Sequence, residues 1–311
     1  MKTSFLSGLH TGPLPISILL GLLVGNILPA NMSQHLDPGM EISRTSLLRF
    51  GIVLYGFQVT FQQIYGVGLV GIAINIFIIL STFALAVQLG TRVLGMDRDM
   101  AMLIGVGNSI CGAAAILATE PVLRSKPQGV PIAVATVVIF GTIAMLIYPL
   151  LYSFSGLSDF QFGLFIGSTV HEVAQVLGAG WTIGENVADA AVIEKLIRVM
   201  MLGPFLLFLS YALHRKNDRQ AKVSLHIPWF ALFFVIASGI NSLGIIPGEA
   251  LAGIRQVNVF ILAMAMASLG AKIKFSLIRS AGKAPLLLGA ILFVHLSVCG
   301  FLVNKFIFEA L

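Results

Sequence analysis

The chain has 311 residues, of which 57% are hydrophobic and only 10% charged. Soluble domains carry roughly a quarter charged residues, so a water-exposed globule is excluded and lipid must solvate most of the surface. The formal net charge is +6, but the Lys and Arg residues sit in short links between apolar runs rather than in a basic stripe with interleaved aromatics, which excludes nucleic acid as a partner.

Read by length and by breakers, the apolar runs fall at about 14–30, 47–64, 66–90, 101–119, 130–152, 160–180, 191–213, 228–246, 256–272 and 284–308. Most approach the ~20 residues a spanning helix needs. The expected fold class is therefore an all-α polytopic membrane protein of about ten transmembrane segments, one transporter domain over 1–311. The first run follows Lys2 as in a signal peptide. Pro13, Pro15 and Pro29 and the lack of an A-x-A site make it a retained first helix instead. Cys111 and Cys299 lie in apolar runs without CxxC pairing, so no disulfide framework is expected.

The links at Arg92–Arg98, His214–Lys222 and Lys272–Lys283 are basic and should be cytoplasmic, whereas the charge-poor turn at Gln62–Val70 should lie outside. The run from Gly56 to Ile64 matches that from Gly270 to Ile278 at its Gly, Phe and Ile positions, and the run from Pro15 to Asn26 resembles that from Pro228 to Asn241. The first three helices thus resemble the last three with opposite sidedness, an inverted repeat with halves at approximately 14–152 and 160–308. A shorter similarity pairs Gly107-Asn108-Ser109-Ile110 with Gly167-Ser168-Thr169-Val170. Both stretches are too polar and glycine-rich for mid-span. They read as breaks in discontinuous or re-entrant helices, which survive at membrane depth only inside protein or beside water.

These breaks carry the candidate chemistry. Around Gly107, Asn108 and Ser109, a half-helix starting at the break aims unpaired N–H groups and a positive dipole end at a ligand, which suits an anion. The bland reading is a small-residue helix contact through Gly105, Gly112, Ala113 and Ala114. In the second break, Ser168 and Thr169 precede His171, Glu172 and Gln175, three costly polar groups in one apolar run that should face an interior path. His171 titrates near neutral pH, and a desolvated Glu172 could join it in carrying protons. The bland reading is a polar knot tying helices together. The string from His171 to Gln175 misses the H-E-x-x-H zinc pattern by its fifth residue, so no metal is expected. Glu194 and Arg198, spaced i,i+4 beside Lys195, read at least as readily as an ion pair at an interfacial helix end as they do as a substrate contact. Glu120 and Arg124 flank Pro121 as a helix end. His295 reads as a satisfied buried histidine, Asn26 and Asn75 as bridges between helices, and Met264 and Met266 as core packing.

At Leu48-Arg49-Phe50-Gly51, Gly107-Asn108-Ser109-Ile110-Cys111-Gly112 and the run Gly167–Gly180, the chain resembles the YeiH family of bacterial inner-membrane proteins, often labelled sulfate exporters. The resemblance covers nearly the whole chain. It implies a multi-pass protein of the inner (plasma) membrane, related to cation/proton antiporters and bile-acid-type carriers with inverted repeats and crossed broken helices. The chain departs from that pattern in two ways: no polar broken segment follows the second repeat copy, and no paired-Asp ion site occurs. The resulting expectation is a secondary transporter of a small anion, such as sulfate or a sulfonate. Gly107, Asn108, Ser109, Ser168, Thr169 and Gln175 would bind the solute, and His171 and Glu172 would couple it to protons. No cofactor is expected. The partners are the solute, the lipid bilayer and, as an open option, further copies in a homo-oligomer. A membrane-embedded enzyme using His171 and Glu172, or a non-transporting scaffold, are the alternatives. The absence of a Walker A motif argues against direct ATP drive.

Overall fold

A computed structural model describes residues 13–123, 125, 129–214, 228–273 and 282–309. In chain order it comprises α1 (Pro13–Ile27), α2 (Ala30–Ile42), α3 (Leu48–Tyr55), α4 (Phe61–Gln88), α5 (Arg98–Ser109), α6 (Ala113–Leu123), α7 (Gly129–Ser155), α8 (Asp159–Thr169), α9 (Val173–Ile183), α10 (Glu185–Met200), α11 (Leu202–His214), α12 (Trp229–Ser242), α13 (Gly248–Lys272) and α14 (Lys283–Glu309). A π turn at Ser43–Leu47 joins α2 to α3, and α10 runs into α11 through Met201. Among the described residues, five helices are long and apolar enough to cross a membrane. Their outward faces carry exposed large apolar side chains such as Phe77, Leu80, Leu151, Phe208, Phe260 and Val294, a belt that water would not tolerate but lipid does.

Capping chemistry sets the helix starts. Thr60 and Gln63 form a reciprocal box at the head of α4, with the Thr60 N–H donating to Gln63 Oε1 at 2.7 Å. Ser158 and Gln161 repeat it at the head of α8. The turn expected at Gln62–Val70 therefore lies earlier, at Val59–Thr60. Residues 62–70 are already helical, kinked at Gly68, where φ is +35°. The basic links expected at His214–Lys222 and Lys272–Lys283 lie largely outside the described residues, as do Arg124 and the second repeat copy beyond Ile273.

Contacts along the bundle show which end each segment meets. Gly90 of α4 packs on Ala101 of α5, and Gly105 on Ala86, so these helices are antiparallel. Gly129, at the start of α7, faces Leu103 and Met100, whereas Gly107 faces Val137. Helix α5 thus climbs beside α7 to mid-depth, and α6 must return to the end where α5 began. Likewise Gly163 and Gly167 of α8 meet Ala190 and Ala191 of α10, while Gly180 of α9 meets Ala188. The α8–α9 pair enters from the other end, turns, and goes back. Each half-helix of 11 or 12 residues is about 16–18 Å long, half of a ~30 Å hydrocarbon core. Of the ten helical segments expected, two are thus re-entrant hairpins inserted from opposite ends rather than crossed spanning helices. One end of the bundle gathers Arg92, Arg98, Lys272 and Lys283. The other gathers Asp159, Glu185, Asp189, Glu249 and Arg255.

The densest packing defines two bodies. In the first, α1 lies on α13 and α12 on α3. In the second, α4, α7, α10 and α14 enclose the hairpins. Direct packing between them is thin, through α1 and α13 on α9 and through α12 on α4 and α10. Within the first body, residues matched between the two triads exchange the same contacts at opposite ends. Asn26 Nδ2 donates to Ile273 O at 2.7 Å, and Asn241 Nδ2 to Val59 O at 3.1 Å. A Cβ at Gly270 would lie 2.1 Å from Ile18 O, and one at Gly56 2.5 Å from Phe234 O. In 14–152 the triad precedes its hairpin; in 160–308 the hairpin precedes the triad.

Candidate functional site: the meeting of two hairpin tips

The two tips face each other at mid-depth. His171 Nε2 and Asn108 Oδ1 are 2.8 Å apart, joining the second tip to the first. Gly112 has φ +66°, a conformation that favours glycine, and a Cβ there would lie 2.8 Å from Glu172 Cγ. The Glu172 carboxylate thus lies against Gly112, beside the Ala113 N–H at the positive N-terminal end of α6. The first tip's helix start therefore already holds an anion, supplied by the second tip.

Two cations brace this junction from α10. Lys195 Nζ donates to Ile110 O and Val170 O, each at 2.7 Å. Arg198 donates through Nε to Ser109 O at 2.7 Å, through Nη2 to Asn108 O at 2.8 Å, and through Nη1 to Ser168 O. Both side chains are fully buried. They satisfy the orphan carbonyls where α5 and α8 end, and their charge opposes the negative dipole ends there. Lys195 uses two of three donors and Arg198 three of five.

The reading of Glu194, Lys195 and Arg198 as an interfacial helix-end group is overturned. Helix α10 begins at Glu185 rather than at 191, which carries all three residues to mid-depth with no exposure. No ion pair joins Glu194 to Arg198, and both Glu194 carboxylate oxygens lack a hydrogen-bond partner. The sequence signal was present as three charges in one apolar run, but the misplaced helix start moved them to the surface. Asn304 was also missed; its Nδ2 donates to Ser168 Oγ at 3.1 Å, tying α14 to the second hairpin.

The expected solute-binding residues all gather at the tips, and each already has a bond or a tight packing contact. Gly107 makes room for Ile116 and Val137. Asn108 Nδ2 donates to Ile104 O, Ser109 Oγ to Val106 O, and Ser168 and Thr169 both to Phe165 O. Gln175 caps α9 by accepting from the Glu172 N–H at 3.1 Å and reaches α7 at Val138 O and Thr142 Oγ1. Asn108, Ser109, Ser168, Thr169, His171 and Gln175 are all buried, whereas Glu172 keeps partial exposure. The bridging roles read for Asn26 and Asn75 hold, since Asn75 Nδ2 donates to Glu194 O. His295 pairs with Ser81 at 3.2 Å. Met266 is buried, but Met264 is exposed rather than core.

Toward the acidic end, Asp189 accepts from Tyr55 Oη at 2.8 Å and Gln63 Nε2 at 3.0 Å, and Trp181 Nε1 donates to Tyr55 Oη. Arg255 pairs with Glu185 at 2.7 Å. The Tyr55 and Arg255 contacts latch the first body to the second at that end.

Apolar belt, long spans and paired hairpins with charged braces define a multi-pass α-helical membrane protein built around an intramembrane polar junction. The chain belongs to the family described as Conserved hypothetical protein 698, whose model matches residues 2–289. It is 46% identical over 305 residues to the UPF0324 membrane protein PM1461 of Pasteurella multocida, covering 97% of this chain and 91% of that one. It is 47% identical over 303 residues to the UPF0324 membrane protein PA5383 of Pseudomonas aeruginosa, covering 94% and 85%. With the UPF0324 inner membrane protein YeiH of Escherichia coli K12 it shares 44% over 302 residues, covering 96% and 86%. No solved structure matches. The protein is accordingly a multi-pass protein of the inner membrane.

Proposed function

We propose that the protein is a secondary carrier of a small anion, such as sulfate or a sulfonate, rather than an enzyme, and that the solute binds between the hairpin tips. The observation that carries this reading is the Glu172 carboxylate seated on the α6 N-terminus beside Gly112. A helix start that receives a carboxylate can receive a solute anion in its place. Protonation weakens the hold of Glu172 on the Ala113 N–H and frees the seat, so solute entry and proton uptake occur together. His171, bonded to Asn108 of the other tip, reports that change across the junction. The thin contact between the two bodies allows one to rock against the other and expose the tips alternately to each end.

The test is Glu172→Gln in proteoliposomes. The variant should lose accumulation of labelled sulfate or sulfonate driven by an imposed pH gradient, yet retain exchange of labelled for unlabelled solute. Wild-type accumulation in the variant removes Glu172 from coupling. No anion flux in wild-type vesicles refutes the carrier reading.

A further inference from the structure

Helices α4, α8 and α10 line an open pocket of about 640 Å³ at the acidic end, bounded among others by Gln63, Gly66, Asp159, Asn186, Asp189 and Ile193. Its walls converge inward. On α10, Asn186, Ala190 and Glu194 follow at intervals of four residues and share a face, so Glu194 lies one turn below the cavity. Gly71 of α4 and Gly167 of α8 leave the space it fills: a Cβ at Gly71 would lie 2.2 Å from Glu194 Oε2, and one at Gly167 2.7 Å from Glu194 Cβ. The side chain is fully buried and both its oxygens lack a hydrogen-bond partner. An unpaired carboxylate is costly at such a place, and the neutral acid far less so.

The charged and titratable surroundings are of mixed sign. Lys195, Arg198, Asp189 and Glu185 share its helix. The tips bring His171, Glu172 and Cys111, α7 brings Tyr148, α8 Asp159, α4 Tyr65 and α11 Tyr211, while α9 and α12 bring none. The half-helix ends braced by Lys195 and Arg198 each count as roughly half a negative charge. With Glu194 ionised, Lys195, Arg198, Glu172, the two braced helix ends and the half-positive helix starts of α6 and α9 together leave the junction close to neutral. With Glu194 protonated, about one positive charge is left without a counterion.

We propose that Glu194 is a second proton-binding group of this protein, reached from the acidic end through the α4–α8–α10 cavity. Its protonation charges the junction for an anion. This consequence rests on the carrier reading; proton binding itself does not. Proton and anion then enter the tips as a nearly neutral pair, from a carboxyl group distinct from the one the solute displaces.

The experiment is infrared difference spectroscopy of the reconstituted protein, low pH minus high pH, without solute. Glu194→Gln should remove one component of the protonated-carboxyl carbonyl band. Glu172→Gln should leave that component in place. A Glu194→Gln spectrum superimposable on wild type overturns the proposal. Gly66→Leu provides a variant that leaves the carboxyl group untouched: a Cβ at Gly66 meets nothing within 4 Å, so the side chain can fill the cavity. It should slow the appearance of the same component several-fold after a pH drop at the acidic end. An unchanged rate overturns the access route. If the Glu194 component is present while wild-type vesicles move no anion, the carrier reading fails and the proton site stands.

Discussion

Replacing Arg198 with methionine removes one side chain that serves three carbonyls on two hairpins. The bonds to Ser109 O, Asn108 O and Ser168 O come from a charged donor, each contributing about 1.5–3 kcal/mol. Removal also relieves the desolvation of a buried guanidinium, which is several kcal/mol and acts in the opposite sense. The three carbonyls remain at mid-depth with no water to take them, so the loss should win by ~2–4 kcal/mol. At ~2 cal/mol/K of unfolding entropy per residue, a loss of 3 kcal/mol lowers Tm by about 5 °C for this length. Lys195→Met, with two bonds to lose, should fall less far. Arg198→Lys, which keeps the charge but not the fork, should lie between Arg198→Met and wild type. Thermal unfolding in detergent, followed by loss of the monodisperse species, measures all three. If Arg198→Met and Lys195→Met melt with wild type, the braces are not what holds the hairpins, and the tips are stabilised by apolar packing alone.

Two further outcomes follow from the architecture. Single cysteines at Gln63 and Ser158 in a Cys-less background should be labelled by an impermeant thiol reagent from one side and a cysteine at the partly exposed Glu120, near the end of α6, from the other; labelling of the Glu120 and Ser158 positions from the same side would refute the hairpin arrangement. Gly270→Ala places a methyl group 2.1 Å from Ile18 O and should lower stability in the same melting assay by roughly 1–3 kcal/mol through separation of α1 from α13, whereas Gly239→Ala, where a Cβ meets nothing within 4 Å, should not.

Composition and apolar run length revealed the long apolar helices, because lipid imposes a strict length rule on spans, but not α2, whose Ala30–Ile42 is too polar to read as an apolar run. Both breaks were legible as well, since Asn-Ser and Ser-Thr beside glycine have no place on a lipid-facing helix. Whether a break continues through the bundle or turns back was not legible. That depends on where Gly129 and Gly163 find their neighbours, which is a long-range fact. The start of α10 was misread because Glu185, Asn186 and Asp189 look like a polar loop. Their polarity instead belongs to a cavity wall and to the Tyr55–Asp189 latch. The function of Lys195 and Arg198 was hidden for a related reason: their partners are backbone carbonyls, and a backbone atom leaves no mark in a residue pattern.

The braces also impose an order on synthesis. The carbonyls at Asn108, Ser109 and Ile110 leave the ribosome 85 to 90 residues ahead of the two cations that receive them, an interval of roughly 4–18 s at common elongation rates. During that interval the ends of α5 have no protein partner, and hydrocarbon offers none. The first hairpin should therefore settle at mid-depth only once α10 has emerged, whereas the second, whose Val170 and Ser168 carbonyls precede their cations by 25 and 30 residues, finds its braces sooner.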